Sequence, residues 1–344
     1  MATPTTVHLV GSLPYDTEEE AFILSSQALP NRLLRIPDGE TGSRQKFIAW
    51  QSFVFPTQVL GPIHRRGKPL EDTDFDYTLD DIEHTGYDKA AIKSYQTFSK
   101  LKIEGTIPQA TRFQVSIPTP INTCFTHVDY RYRGQVESLY MQRLIQDLES
   151  LQSAIPAKDL AIQIDMAMEF AYLEYDKGRL KNPLFKPHFS KVEDHILERV
   201  TQLASSIGPE VQLGFHLCYG DRECQHFIQP EDASLLVSIA NNIVKRVGVS
   251  HPIKWIHMPV PKDRLDVTYF APLKGLEIGG TELFLGLAHA NDMEGTKERM
   301  KVAQSVYGRP FGISTECGLG RMTVKDAENV LSIMRNVTVP ETAA

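Results

Sequence analysis

Eight short apolar runs, rich in β-branched residues, punctuate this 344-residue chain, and longer segments of helical periodicity separate most of them. They cover 6–13, 32–37, 112–118, 159–167, 211–218, 253–258, 282–289 and 310–317. Several are almost continuously apolar, as in Leu160-Ala161-Ile162-Gln163-Ile164, which is the pattern of parallel strands covered on both faces. Between them, 134–154 sets Val136, Leu139, Tyr140, Leu144, Leu148 and Leu151 on one stripe. The segment 190–207 opens with the capping-box pair Ser190 and Glu193, and closes at Gly208. A third segment, 230–247, opens with Pro230 in a first-turn position and ends before Gly248. Strand and helix alternating in this way predict an α/β fold, a (β/α)8 TIM barrel, as one domain over residues 1–344. A long insertion after the second strand, 51–111, carries one good helix over 87–100 and is expected to decorate the mouth or an edge.

Composition narrows the function. With 42% hydrophobic and 23% charged residues the chain is ordinary globular protein, and a net charge of -7 argues against nucleic acid as a partner. No secretory leader and no apolar run long enough for a bilayer are visible, so the sequence predicts a cytoplasmic protein without a membrane partner. Four cysteines, Cys124, Cys218, Cys224 and Cys317, suit thiols in a reducing compartment rather than a disulfide framework. A small-molecule substrate is the expected partner, and a homo-oligomer is compatible with the sequence.

In a barrel of this kind reactive groups belong at the C-terminal ends of the strands, and the polar residues collect there. In order, the run ends carry Gly11-Ser12, Asp38 with Glu40, Thr119 with Asn122, Asp165 with Glu169, His216 with Cys218, His257, His289, and Glu316-Cys317-Gly318. Spacing of two along a strand puts His216 and Cys218 on one face. Imidazole with thiolate is a donor set that favours zinc over magnesium or calcium. With His257, His289 and Cys317 at the ends of the next three runs, two cysteines and three histidines converge on the same funnel, so a shared site is predicted; a hydrogen-bonded histidine at a strand end is the competing reading of His257. His289 fits a general acid or base, because an imidazole titrates in the useful range. Asp165 is costly if buried alone and is expected to bind a cationic group or orient a ligand.

These residues resemble the C-terminal catalytic half of cobalamin-independent methionine synthase and its shorter single-barrel relatives, over nearly the whole chain. His216-Leu217-Cys218-Tyr219 is similar to that family's His-x-Cys-Tyr zinc motif, and Glu316-Cys317-Gly318-Leu319 to its Asp-Cys-Gly-Leu motif. Val10-Gly11-Ser12-Leu13-Pro14 resembles the family's opening Gly-Ser-Phe-Pro, and Asp38-Gly39-Glu40 its next Gly-Glu element. The resemblance implies zinc held by His216, Cys218, Cys317 and, where the family has glutamate, His257. It further implies a proton carried by His289, substrate oriented by Asp165 and Glu40, and substrate contacts from Gly11, Ser12 and Asp38; Asn122 and Glu169, by their place at the run ends, are expected to contact substrate too.

The chain also departs from the family. The stretch Asp165-Met166-Ala167-Met168-Glu169 lacks the family's Glu-Pro, the family's tryptophan is not evident around Pro118 to Thr123, and the N-terminal half of the large synthase is absent. The expected activity is therefore a zinc-dependent methyl or alkyl transferase acting on a small thiol, with folate not assumed, rather than a housekeeping methionine synthase. The alternatives are a zinc-dependent lyase or hydrolase acting on a small carbonyl metabolite, and a non-catalytic relative that senses thiols or stores zinc.

Overall fold

The computed structural model describes residues 4–65, 76–220 and 225–340; Cys224 lies outside them. Among the described residues a seven-stranded parallel sheet runs in chain order. Its strands are β1 (Arg35–Pro37), β2 (Arg112–Pro118), β3 (Leu160–Met166), β4 (Gln212–Leu217), β5 (Ile253–Pro259), β6 (Glu282–Gly286) and β7 (Gly312–Ile313). The helices are α1 (Glu18–Ala28), α2 (Tyr87–Ile103), α3 (Pro120–His127), α4 (Arg133–Ala154), α5 (Met168–Asp176), α6 (Val192–Ser205), α7 (Ser234–Val247), α8 (Val267–Phe270), α9 (Met293–Tyr307) and α10 (Val324–Val337).

The expected first strand is reduced to isolated parallel bridges, yet it touches both edges of the sheet. Val7 bridges Leu33 and Ile313, and Ser12 bridges Gly39. Backbone bonds from Val7 to Arg32 (2.9 Å), from His8 to Ile313 (2.9 Å) and from Leu13 to Gly39 (2.8 Å) hold it between β1 and β7. The result is a TIM-barrel-like curl.

Strand periodicity divides two cores. On β3, Ile162 and Ile164 join the large cluster beneath the helices, whereas Ala161 joins Trp255 and Phe284 in a small separate one. The Trp255 indole occupies the space a side chain at position 214 would need: a Cβ on Gly214 would lie 2.0 Å from the ring. Arg35 lies over the indole at 4.2 Å and pairs with Glu282 at 2.6 Å. One step up the strands the interior turns polar. Gln163 Nε2 donates to Val10 O (2.7 Å) and Asp165 Oδ1 (2.8 Å), and Gln163 Oε1 accepts from His8 Nε2 (2.8 Å).

The stripe expected on 134–154 appears on α4, where Val136, Tyr140, Leu144, Leu148 and Leu151 are buried and Leu139 partly so. Three expectations differ. Helix α6 starts at Val192 after Lys191 in left-handed conformation, so the Ser190 capping box does not form. Helix α7 starts at Ser234, whose N–H donates to Asp232 at 2.8 Å, leaving Pro230 upstream of the helix. The insertion is no mere decoration: Val54, Val59, Ile82, Phe98, Leu101 and Ile107 are buried in the main cluster, because α2 packs on α1, β2 and α4. No helix among the described residues is long and apolar enough to cross a membrane.

Candidate metal centre

His216 and His257 are register partners across β4 and β5, which puts both inside the curl. Cys218 lies just past β4, where its N–H continues the ladder to Met166 O at 2.8 Å. Cys317 arrives differently. After β7 the chain stays beside β6, with Ser314 N–H donating to Leu285 O at 2.8 Å and Ser314 Oγ to His8 O at 2.8 Å. Two glycines permit this approach. A Cβ on Gly286 would meet Thr315 O at 2.7 Å, and one on Gly318 would meet Ser12 Oγ at 2.3 Å.

These routes bring one ligand atom each of His216, Cys218 and Cys317 within 4.8 Å of one another. The two sulfurs are 3.9 Å apart, too far for a disulfide. Two thiolates at ~2.3 Å from a tetrahedral zinc would be about 3.8 Å apart. His216 Nε2 is buried and has no hydrogen-bond partner, as a ligating nitrogen must be before it takes an ion. Burial, with His257 and His8 adding to it, pushes the His216 pKa well below its usual value and leaves the ring neutral. A buried neutral imidazole and two thiols fit zinc.

His257 is not a fourth member of this group. Its Nδ1 is 2.7 Å from His216 Nδ1 and its Nε2 is 2.8 Å from Thr315 O, so both ring nitrogens are engaged. The carbonyl of Thr315, delivered by the same stretch that delivers Cys317, turns the ring to the far side of His216.

Glu316 lies between two histidines. His226 Nε2 is 3.1 Å from its Oε1 and His289 Nδ1 is 3.6 Å from its Oε2. Burial alone would lower the His226 pKa, but the Glu316 carboxylate, with Cys218 beyond it, outweighs burial and raises it. His289 behaves in the opposite way. Its Nε2 lies 3.0 Å from Val260 O, and burial with the nearby Arg299 charge pushes its pKa down to about 3. The expectation that His289 titrates near neutrality is therefore not met. His226 was not anticipated, because it stands in an irregular loop with no spacing that ties it to Glu316.

Carboxylates occupy the other side of the mouth. Asp38 is bound by Arg44 (2.7 Å), Ser94 (2.6 Å) and the Glu40 N–H (2.9 Å). Burial alone would raise its pKa, but Arg44 and these donors hold it below the usual range. A substrate contact from Asp38 would have to displace them. Glu40 adopts a left-handed backbone, φ 49°, and burial pushes its pKa up to about 7 against the opposing charge of Arg44. Gly11 leaves room for it, since a Cβ there would lie 2.7 Å from Glu40 Oε1. Asp165 pairs in register with His216, and burial together with Glu40 pushes its pKa well up.

Asn122 and Glu169, expected to contact substrate, are closed to solvent. Asn122 Nδ2 donates to Glu169 Oε2 at 3.2 Å, Thr119 bonds the same carboxylate, and Asn122 Oδ1 accepts the Met168 N–H at 2.9 Å. They pin the start of α5. Ser12 is packed against the loop after Cys317, its carbonyl accepting the Leu319 N–H at 2.7 Å.

Parallel strands curled into a TIM-barrel-like fold, with a His-Cys-Cys cluster at their C-terminal ends, define an α/β protein with a candidate metal site. No protein-family model matches the chain, and no curated protein matches it in sequence. Solved structures do. A B12-independent methionine synthase from Shewanella sp. W3-18-1, in complex with selenomethionine, superposes with a TM-score of 0.59 at 13% identity, covering 97% of this chain and 96% of that one. A Listeria monocytogenes protein described as a vitamin-B12-independent methionine synthase gives 0.57 at 14% identity, covering 98% and 96%. The chain shares their fold.

Proposed function

We propose that this chain is a zinc-dependent transferase that moves a methyl or other alkyl group to or from a small thiol, on a single closed (β/α)8 barrel. The observation that carries this reading is the cluster of His216, Cys218 and Cys317, one donor atom of each within 4.8 Å of the others, together with the buried and partnerless His216 Nε2. Those three residues would hold the ion. Zinc held there lowers the pKa of an approaching thiol and so supplies a thiolate at neutral pH.

The remaining residues bind and orient. Glu40 and Asp165, two buried carboxylates of which the first helps to raise the pKa of the second, suit a cationic group on the substrate. His289, kept neutral and held at Nε2 by Val260 O, offers Nδ1 as a proton acceptor beside Glu316. The resemblance to methionine synthases in fold supports group transfer to sulfur, without specifying the donor.

The test is metal analysis of the purified protein, followed by transfer assays with small thiols and methyl donors. Near-stoichiometric zinc and a thiol-dependent spectral change in the cobalt-substituted protein are expected. A metal-free protein would sink the proposal. A second reading, a zinc lyase or hydrolase, is favoured by the lack of a carboxylate in the cluster, which leaves a held zinc more Lewis-acidic. It predicts a cobalt spectrum that ignores thiols and responds to carboxylates or hydroxyketones.

A further inference from the structure

We infer that His257, rather than ligating a metal, fixes the tautomer of His216 and thereby aims a bare Nε2 at Cys218 and Cys317. The inference rests on the metal reading of that cluster and follows from the direction of three contacts. Thr315 O can only accept, so the His257 Nε2 beside it at 2.8 Å carries the hydrogen. In a neutral ring the other nitrogen is then an acceptor, so His257 Nδ1 accepts a hydrogen bond from the Nδ1–H of His216 at 2.7 Å. With its hydrogen on Nδ1, His216 has only a lone pair at Nε2. The reverse assignment would leave an N–H buried at Nε2 with no acceptor, which is the costlier choice.

The arrangement is anchored at every joint. The two histidines are held side by side by the β4–β5 register, and both are buried. Thr315 is two residues from Cys317, and its hydroxyl donates to Cys317 O at 2.7 Å. The chain that delivers the second thiol therefore also orients the imidazole. His257 is a positioning residue in this scheme: a carbonyl-to-histidine-to-histidine relay in which the outer partner raises ligand basicity and fixes ring orientation.

Nitrogen-15 correlation spectra of the metal-free wild-type protein test the tautomer directly. They should show His216 protonated at Nδ1 and bare at Nε2; a hydrogen on Nε2 overturns the inference whether or not zinc binds. Chelator competition should show zinc affinity falling 10–100-fold in His257→Leu, with partial recovery in His257→Gln, which retains an acceptor and a donor. Unchanged affinity in His257→Leu overturns the positioning role. X-ray absorption of the zinc-loaded wild type should count one imidazole and two sulfurs from the chain, and a second imidazole would return His257 to the ligand set. If wild-type protein takes up no zinc, the transferase proposal falls, and the positioning role toward a metal falls with it. Should His257→Leu fail to fold, the wild-type spectra still decide.

Discussion

Along β1 to β3 the mouth carries carboxylates, Asp38, Glu40 and Asp165, whereas along β4 to β7 it carries imidazoles and thiols. On the first side charge is crowded and unequally relieved: Asp38 is held low by Arg44, while Glu40 is pushed up to about 7 and Asp165 well above its usual range. On the second side burial strips charge away, and His216, His257 and His289 are all driven toward the neutral form. One half thus gathers carboxylates, the other neutral nitrogen and sulfur donors. The exception on the second half is Glu316, a carboxylate that raises the pKa of the neighbouring His226.

Breaking the soft half should have the largest effect. Cys317→Ser is expected to reduce bound zinc from about one per chain to near zero by metal analysis, while circular dichroism stays native, because the sulfur packs beside one other thiol and carries no disulfide. Breaking the hard half should cost stability before chemistry. Asp38→Asn takes the ion-pair partner from the partly buried Arg44, and urea unfolding should show a loss on the order of 2 kcal/mol. The sign follows from the depressed carboxyl. Its contribution in the wild type is present above about pH 4 and disappears as pH falls through the folded-state value, so mutant and wild type should converge in acid.

The joint between the halves comes next. Gly318→Ala would set a Cβ against Ser12 Oγ, and a destabilisation of about 1–3 kcal/mol is expected, with weakened zinc binding as Cys317 shifts. The smallest effect should come from Glu40→Gln. A carboxyl raised from 4.5 to about 7 favours the folded state below the lower value and loses that advantage as pH rises through the higher. The variant should therefore flatten the wild-type fall in stability between those pH values, as followed by thermal melts. An unchanged slope would show that Glu40 is solvated.

The soft half was the more legible in sequence because its signals are local. His216 and Cys218 announce themselves by strand spacing; in the other half it was the strand that was plain, the apolar run of β2 matching Arg112–Pro118. What failed depended on partners far along the chain. His257 was placed on the right face, but its ring is turned by a carbonyl 58 positions away. Asn122 and Glu169 lie at strand ends as expected, yet they bond to each other and to Thr119 in the wall. Run 310–317 is a strand only over Gly312–Ile313, although the Ser314 N–H still continues the pairing to Leu285 O. Run 6–13 has a strand's composition, but only isolated bridges hold it to either neighbour.

That sparse pairing of run 6–13 makes it the weakest seam of the molecule. Opening it would part Ser12 from the Cys317 loop while leaving the ladders from β2 to β6 intact, so the local cost of breathing is well below that of global unfolding. Amide hydrogens at Val7, His8 and Leu13 should accordingly exchange with deuterium sooner than those of β3 and β4. Zinc, by drawing Cys317 toward His216 and Cys218, should slow them.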